Sequence, residues 1–422
     1  MAIKWKSGVT ETNSGQVLKR ICESASVDEK KGRVSFTFGN ERHEGFAVLQ
    51  TMLRFPRGLG YDSFQERTSI SQAVTRVALD NNHTPSHFLY RLNEIAGKDS
   101  KKPESEYRLV TSLSVAPSFP IRQWQFEGCS IRLLPGDLPK KYASRVPKLQ
   151  RQARKFEESH PGYSRCIVTV RAKNERSAAA RALRALDVFR GYCNFFLNPQ
   201  FQIIFNPSTE TPVNVVRTGQ CHTLHRKDGA VIQDQVWFEP HYRHTYPITI
   251  KSNQKFRQNH IQLAQLVGKS RYSDKLIESL LRYVRALDET DFNTGFLRLW
   301  AAIESLACPN GADYQTLVRR CAFLYEDPEY QKLVLDHLRD YRNSNIHAGE
   351  ERDNVREYLF QAQRFFRALF SFHVEHTAWF STLDEANEFL DFSTDAEKLL
   401  KMREQINRCL WFRRIERADN DA

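Results

Sequence analysis

No stretch of this 422-residue chain approaches the roughly 18 consecutive apolar residues of a membrane-spanning helix. The opening residues, MAIKWKSGVTETNSG, lack the apolar segment of a secretory signal, so a cytoplasmic chain with no membrane partner is expected. The 8 cysteines are scattered and include no C-x-x-C pair, which argues against a cysteine-rich zinc module and fits a reducing compartment. RGLG (57–60) has neither the spacing and lysine of a phosphate loop nor a dinucleotide fingerprint. There is no G-x-S-x-G elbow, internal repeat or low-complexity tract. His241 with His244, His373 with His376, and the group Cys221, His222 and His225 each fall short of a zinc ligand set. No metal and no cofactor are therefore expected.

What is present supports folded domains. Hydrophobic residues make up 41% of the chain and aromatic residues 12%, enough to bury sizeable cores and exclude wholesale disorder. The length suits two or three domains. The net charge of +12 is unevenly placed: residues 1–250 hold 37 Lys and Arg against 23 Asp and Glu, whereas 251–422 hold 25 against 27. The excess is densest in 101–200, with 19 against 8. Such a segment draws a polyanion by phosphate neutralisation and counterion release. The basic stretch RQARKFEESHPGYSR (151–165) could help hold RNA, although a solvated amphipathic helix accounts for it more simply.

The pattern divides near 245. Residues 1–245 mix short β-branched or aromatic segments with helical ones. GRVSFTF (32–38), YRLVTSLSVA (107–116), GCSIRLLP (128–135), SRCIVTVR (164–171) and FQIIF (201–205) read as strands. SISQAVTRVALD (69–80), SHFLYRLNEIAG (86–97) and ERSAAARALRALDVFRGYCNFF (175–196) read as helices. GKDSKKPESE (97–106) and NPSTETP (206–212) read as loops. Residues 246–422 show helical periodicity throughout from about 255, with short connections such as CPNGA (308–312) that favour antiparallel neighbours. The expected fold class is α+β: an N-terminal mixed α/β recruitment or sensor domain over 1–245, then an all-α bundle over 246–422.

The polar stretch RNSNIHAGE (342–350) closes one of these helical runs. Arginine, four residues, histidine is a weak pattern: 41 arginines and 13 histidines give roughly one match by chance. Arg217–His222 also matches, among loop and strand signals. Arg342–His347 differs in lying at the end of a helix, where Gly349 is placed to stop it. Asn343 and His347 share a helix face. Arg342 and His347 lie about 140° apart on an ideal helix, so both could border a groove between packed helices. The plainer reading is a solvated terminus, with Arg342 paired to Asp340 or Glu351 and His347 opposing the helix dipole.

RNSNIH (342–347) resembles the R-N-x-x-x-H signature of the HEPN domain family, and FLRLWAAIESL (296–306), with Glu304 embedded, is similar to the preceding helix of its Apea-like branch. The resemblance covers about 255–380. It implies a metal-independent endoribonuclease whose bundles pair as a homodimer and bring both motifs into one cleft. In that role Arg342 and His347 are catalytic, and Asn343 and Glu304 support them. A histidine near its reference pKa of about 6.5 can move the protons of 2′-OH attack, and an arginine can stabilise charge on the phosphoryl group. Some members carry a tyrosine two residues after the histidine as a modification target; here that position is Gly349, so such control is not indicated. Chains of this shape resemble abortive-infection or antiphage toxins that cut tRNA or other RNA on a phage-derived or cellular trigger. The rival expectations are a non-catalytic assembly module with a nucleic-acid-binding N-terminal domain, and a DNA-binding regulator.

Overall fold

The computed structural model describes residues 2–28, 33–37, 40–56, 59, 61, 63–152, 162–201, 211–240, 242–251, 253–311, 314–348 and 354–414. The chain is mixed α+β and forms two compact units, Met1–Tyr107 with Val170–Ala182, and Arg108–Thr169 with Leu183–Ala422. This division differs from the partition at 245 read from composition.

The first unit runs β1 (Lys4–Trp5), α1 (Glu11–Glu23), β2 (Ala25–Asp28), β3 (Arg33–Phe36), α2 (Asn40–Met52), β4 (Leu53–Arg54), α3 (Ser63–Leu79) and α4 (Pro85–Lys101). Leu18, Ile21, Leu49, Ile70, Val74, Phe88 and Leu92 of its four helices share one core. Two antiparallel ribbons, β1 with β4 and β2 with β3, accompany them. Thr10 caps α1 by accepting from the Asn13 N–H, a signal in TETN that the hydrophobic pattern alone does not show. The loop expected over 97–106 begins later than expected. Helix α4 continues to Lys101 because Lys98 pairs with Glu94 one turn back, at 2.6 Å, and Pro103 follows its end.

The six-stranded sheet uses β5 (Ser105–Leu113), β6 (Gln123–Phe126), β7 (Cys129–Leu134), β8 (Ser164–Ala172), β9 (Cys221–Arg226) and β10 (Val231–Phe238), in the order β10-β9-β5-β8-β7-β6. Helices α5 (Arg145–Gln152) and α6 (Glu175–Leu197) lie between its strands in sequence. The strands expected over 107–116, 128–135 and 164–171 are β5, β7 and β8, and the helix over 175–196 is α6. The expected strand FQIIF lies outside the described residues after Phe201, as does most of 151–161. The β9–β10 hairpin turns at Asp228-Gly229, a signal the strand reading passed over. Gly229 has φ +97°, and a Cβ there would stand 2.5 Å from the Lys141 carbonyl oxygen, so only glycine fits.

From Asn253 on, every described element is an α-helix: α7 (Asn253–Lys269), α8 (Ser273–Leu287), α9 (Phe292–Ala307), α10 (Tyr314–Ala322), α11 (Pro328–Ala348), α12 (Val355–Glu375), α13 (Leu383–Phe389) and α14 (Ala396–Phe412). Leu276, Leu280, Tyr283 and Leu287 put an apolar stripe on α8, and Phe296, Leu299, Trp300, Ile303 and Leu306 put one on α9. Both stripes enter a core that also takes Phe365, Phe366, Leu369 and Phe370 of α12, and Val188 and Tyr192 of α6. Because α6 contributes to this core, the helical segment does not close on itself at 246. Helix α6 meets α8 at Gly191, where a Cβ would stand 2.8 Å from Leu280 Cγ.

Four histidines of the second unit, His222, His225, His260 and His373, are buried and held neutral. Burial pushes His225 and His260 down to about 4 and His373 down to about 3. His260 sits among the rings of Trp124, Phe189, Tyr192 and Phe256. The unfolded chain takes up protons near pH 6.5 that the folded chain refuses, so stability is full above that pH and is lost as pH falls toward 4. Urea unfolding between pH 7 and pH 4 should show this decline. His260→Phe should flatten it by roughly 3 kcal/mol at pH 4, following about 1.4 kcal/mol per pKa unit.

Candidate active site

Helix α9 positions the residues that meet the arginine motif. Its N-terminus is set by Asp291, whose carboxylate accepts from the backbone N–H of Asn293 and Thr294 at 3.1 and 3.0 Å. Burial alone would raise the Asp291 carboxyl; hydrogen bonds from Thr294 and Asn293 outweigh it and hold the group below its ordinary value. About two and a half turns on, Trp300 is buried and its indole N–H donates to Glu304 Oε1 at 2.9 Å. Tryptophan and glutamate four residues apart share a face, so the sequence spacing itself makes this bond.

Helix α11 brings the motif to that face. Arg342 Nη2 stands 3.7 Å from the same Glu304 Oε1, and Arg342 Nη1 donates to Asn343 Oδ1 at 3.3 Å. The Arg342 and Glu304 side chains are 19% and 21% exposed, so the pair is partly sheltered yet reachable from solvent. The neighbouring Tyr341 is buried between the rings of Phe296 and Tyr358, and its hydroxyl donates to Asn293 Oδ1. The Asn345 amide reaches that oxygen at 3.4 Å, and Asn293 Nδ2 in turn donates to Asp291 at 3.3 Å. The end of α11 is thus fastened to α9 at Glu304 and at Asn293.

Of the four residues expected at the site, the structure brings Arg342, Asn343 and Glu304 together. His347 lies in the last turn of α11, which ends at Ala348, but its side chain falls outside the described residues, as does Gly349. Of the partners in the plainer reading, Asp340 bonds Arg339 at 3.1 Å, and Glu351 lies outside the described residues. Among the described residues no group of three or more His, Cys, Asp or Glu side chains could hold a metal. His222 and His225 spend their rings on Thr111, Thr223 and the Gly229 carbonyl instead.

A second charged cluster lies buried in the same unit. Arg190 of α6 is 0% exposed and bonds Asp187 Oδ1 at 2.5 Å and Asp288 Oδ2 at 2.9 Å. Arg285 of α8 links Asp187, at 2.6 Å, to Glu239, at 2.9 Å. Arg217 stands 3.8 Å from Asp288, and the His222 ring stands 3.9 Å from Glu239. Three guanidiniums thus face three carboxylates with a neutral histidine beside them. Burial would raise the Glu239 carboxyl; the His222 ring and the Arg285 and Arg190 guanidiniums outweigh it and hold the group far below the carboxylate range. Burial pushes His222 down. The second R-x-x-x-x-H match, Arg217–His222, therefore belongs to a packed ionic core. Its sequence signal was visible, but the acidic partners come from segments that no spacing rule connects.

Two substitutions separate these clusters. Asp288→Ala leaves Arg190 and Arg217 short of a buried carboxylate and should cost about 3–5 kcal/mol in urea unfolding. Glu304→Leu leaves the Trp300 N–H without an acceptor and should cost about 1–3 kcal/mol, whereas Glu304→Gln keeps an acceptor oxygen and should cost less. Equal losses for the two Glu304 variants would mean that the indole hydrogen bond contributes nothing.

In comparisons with known protein families, curated proteins and solved structures, the chain matches none.

Proposed function

We propose that the chain is a metal-independent endoribonuclease of the HEPN type that cleaves RNA, tRNA included, by attack of the ribose 2′-OH. The observation that carries this reading is Arg342, held by Glu304 and Asn343 at the end of α11, with His347 in the same helix's last turn. Arg342 supplies a permanent positive charge that can transfer from Glu304 to a phosphoryl oxygen as charge develops there. His347 takes the 2′-OH proton or returns one to the departing 5′-oxygen. The O2′–P bond forms as the P–O5′ bond breaks, leaving a 2′,3′-cyclic phosphate and a 5′-OH end. DNA lacks the attacking hydroxyl, so the activity is selective for RNA. A homodimer through the helical bundle places two motifs in one cleft. The basic excess within 1–250 draws the polyanion. The chain acts in the cytoplasm as an abortive-infection or antiphage toxin released by a phage-derived or cellular trigger.

A second reading, a non-catalytic assembly module whose N-terminal part binds nucleic acid, is favoured by one observation. Arg342 is already engaged by a carboxylate, as a purely structural arginine is. Cleavage of total tRNA in EDTA separates the two. The nuclease reading expects wild type to cut, with Arg342→Ala and His347→Ala losing about 100-fold or more. Undiminished cutting by folded His347→Ala contradicts it. Absence of cutting by all three, with no growth inhibition in cells with or without phage, is the assembly module's outcome.

A further inference from the structure

Helix α14 differs from the helices before it, because none of its 17 residues is buried. Leu399, Leu400, Met402, Ile406, Trp411 and Phe412 all stand exposed along it. A helix of this length is marginal alone in water, and an apolar stripe on it calls for a cover. Leu399, Met402, Ile406 and Cys409 follow one another at steps of three, four and three, the spacing of a coiled-coil seam. A groove of about 280 Å³ follows that seam, lined by Met402, Gln405, Ile406, Cys409, Leu410 and Arg413.

We propose that this groove is filled by α14 of a second copy of the chain, lying antiparallel across a two-fold axis. Placing Met402 against the partner's Ile406 sets Leu399 against the partner's Cys409, and the two-fold repeats both contacts, giving four apolar layers. The same register sets Arg413 against the partner's Asp395 at each end. Asp395 is the N-cap of α14, its carboxylate accepting from the Glu397 and Lys398 N–H groups at 2.9 and 3.4 Å. Cationic C-termini thus meet anionic N-termini, and the antiparallel helix dipoles add to the attraction. The parallel alternative puts Arg413 against the partner's Arg413 and Lys398 against the partner's Arg403, so charge selects the antiparallel arrangement. The only like charges it opposes are the two Arg403 side chains, at the exposed margin of the seam. The contact is self-complementary, as a two-fold interface requires. It is separate from pairing through the bundle and does not rest on the ribonuclease reading.

Mild oxidation of full-length Leu399→Cys, read on a non-reducing gel, tests the register directly. Residue 399 faces the partner's Cys409, an exposed thiol, so this variant should form a covalent dimer. Wild type should not, because the two Cys409 lie about 15 Å apart along the axis at 1.5 Å per residue. Adding Cys409→Ser should abolish the cross-link, and adding Ile406→Asp should reduce it about tenfold or more. No substitution here touches a buried residue, so the rest of the fold remains in place. Two outcomes overturn the proposal: no cross-link in Leu399→Cys, or cross-linking of wild type through Cys409. The second would make the pairing parallel; the first, if accompanied by pelleting on phosphatidylserine vesicles, would give the face to lipid.

Discussion

A wholly buried guanidinium is among the most demanding groups a fold can contain, and Arg190 is one. Its charge is tolerable only because Asp187 and Asp288 are held against it, and because Arg285 and Glu239 extend the alternation of sign. Asp288 follows the last turn of α8 and Asp291 opens α9. The ion network therefore fixes the short turn between these helices. Helix α9 carries Asn293, Trp300 and Glu304, the groups that fasten the end of α11. The candidate site inherits its geometry from a cluster that has no chemical role in it.

The two charged clusters use the same residue types for opposite ends. Arg217 and His222 are enclosed with balanced counter-charges, so neither can reach a substrate. Arg342 is about one-fifth exposed and stands 3.7 Å from its carboxylate, beyond a direct hydrogen bond. An anionic phosphate can compete for such a guanidinium, whereas it cannot enter the Arg190 cluster. Exposure, more than motif, distinguishes the two matches to one short pattern.

How much could be read from the residues depended on how local the signal was. Helices α6, α8, α9 and α12 were legible because their apolar residues recur at three and four positions. Strands β5, β7 and β8 were legible from β-branched runs between turn residues. The Trp300–Glu304 bond is a four-residue spacing, so the sequence itself puts both groups on one helix face. Helix α2 was missed because its polar content hides the period, α1 because its apolar residues are confined to its second half from Val17, and α13 because it has only 7 residues. The ionic network could not be read as a whole: Asp187–Arg190 and Arg285–Asp288 are three-residue pairs, but Arg190 and Asp288 are 98 residues apart and the packed core brings them together. The division into compact units was hidden for the same reason, since α6 joins a core built mainly from residues far along the chain.

In the proposed mechanism Arg342 and His347 act on an RNA 2′-OH. A single deoxyribose placed at the scissile nucleotide of an otherwise all-ribose substrate tests it most directly. This one bond should resist cleavage while neighbouring bonds are cut at their former rates. Cleavage at the deoxy position at an unchanged rate would contradict that mechanism, because no attacking hydroxyl would be there.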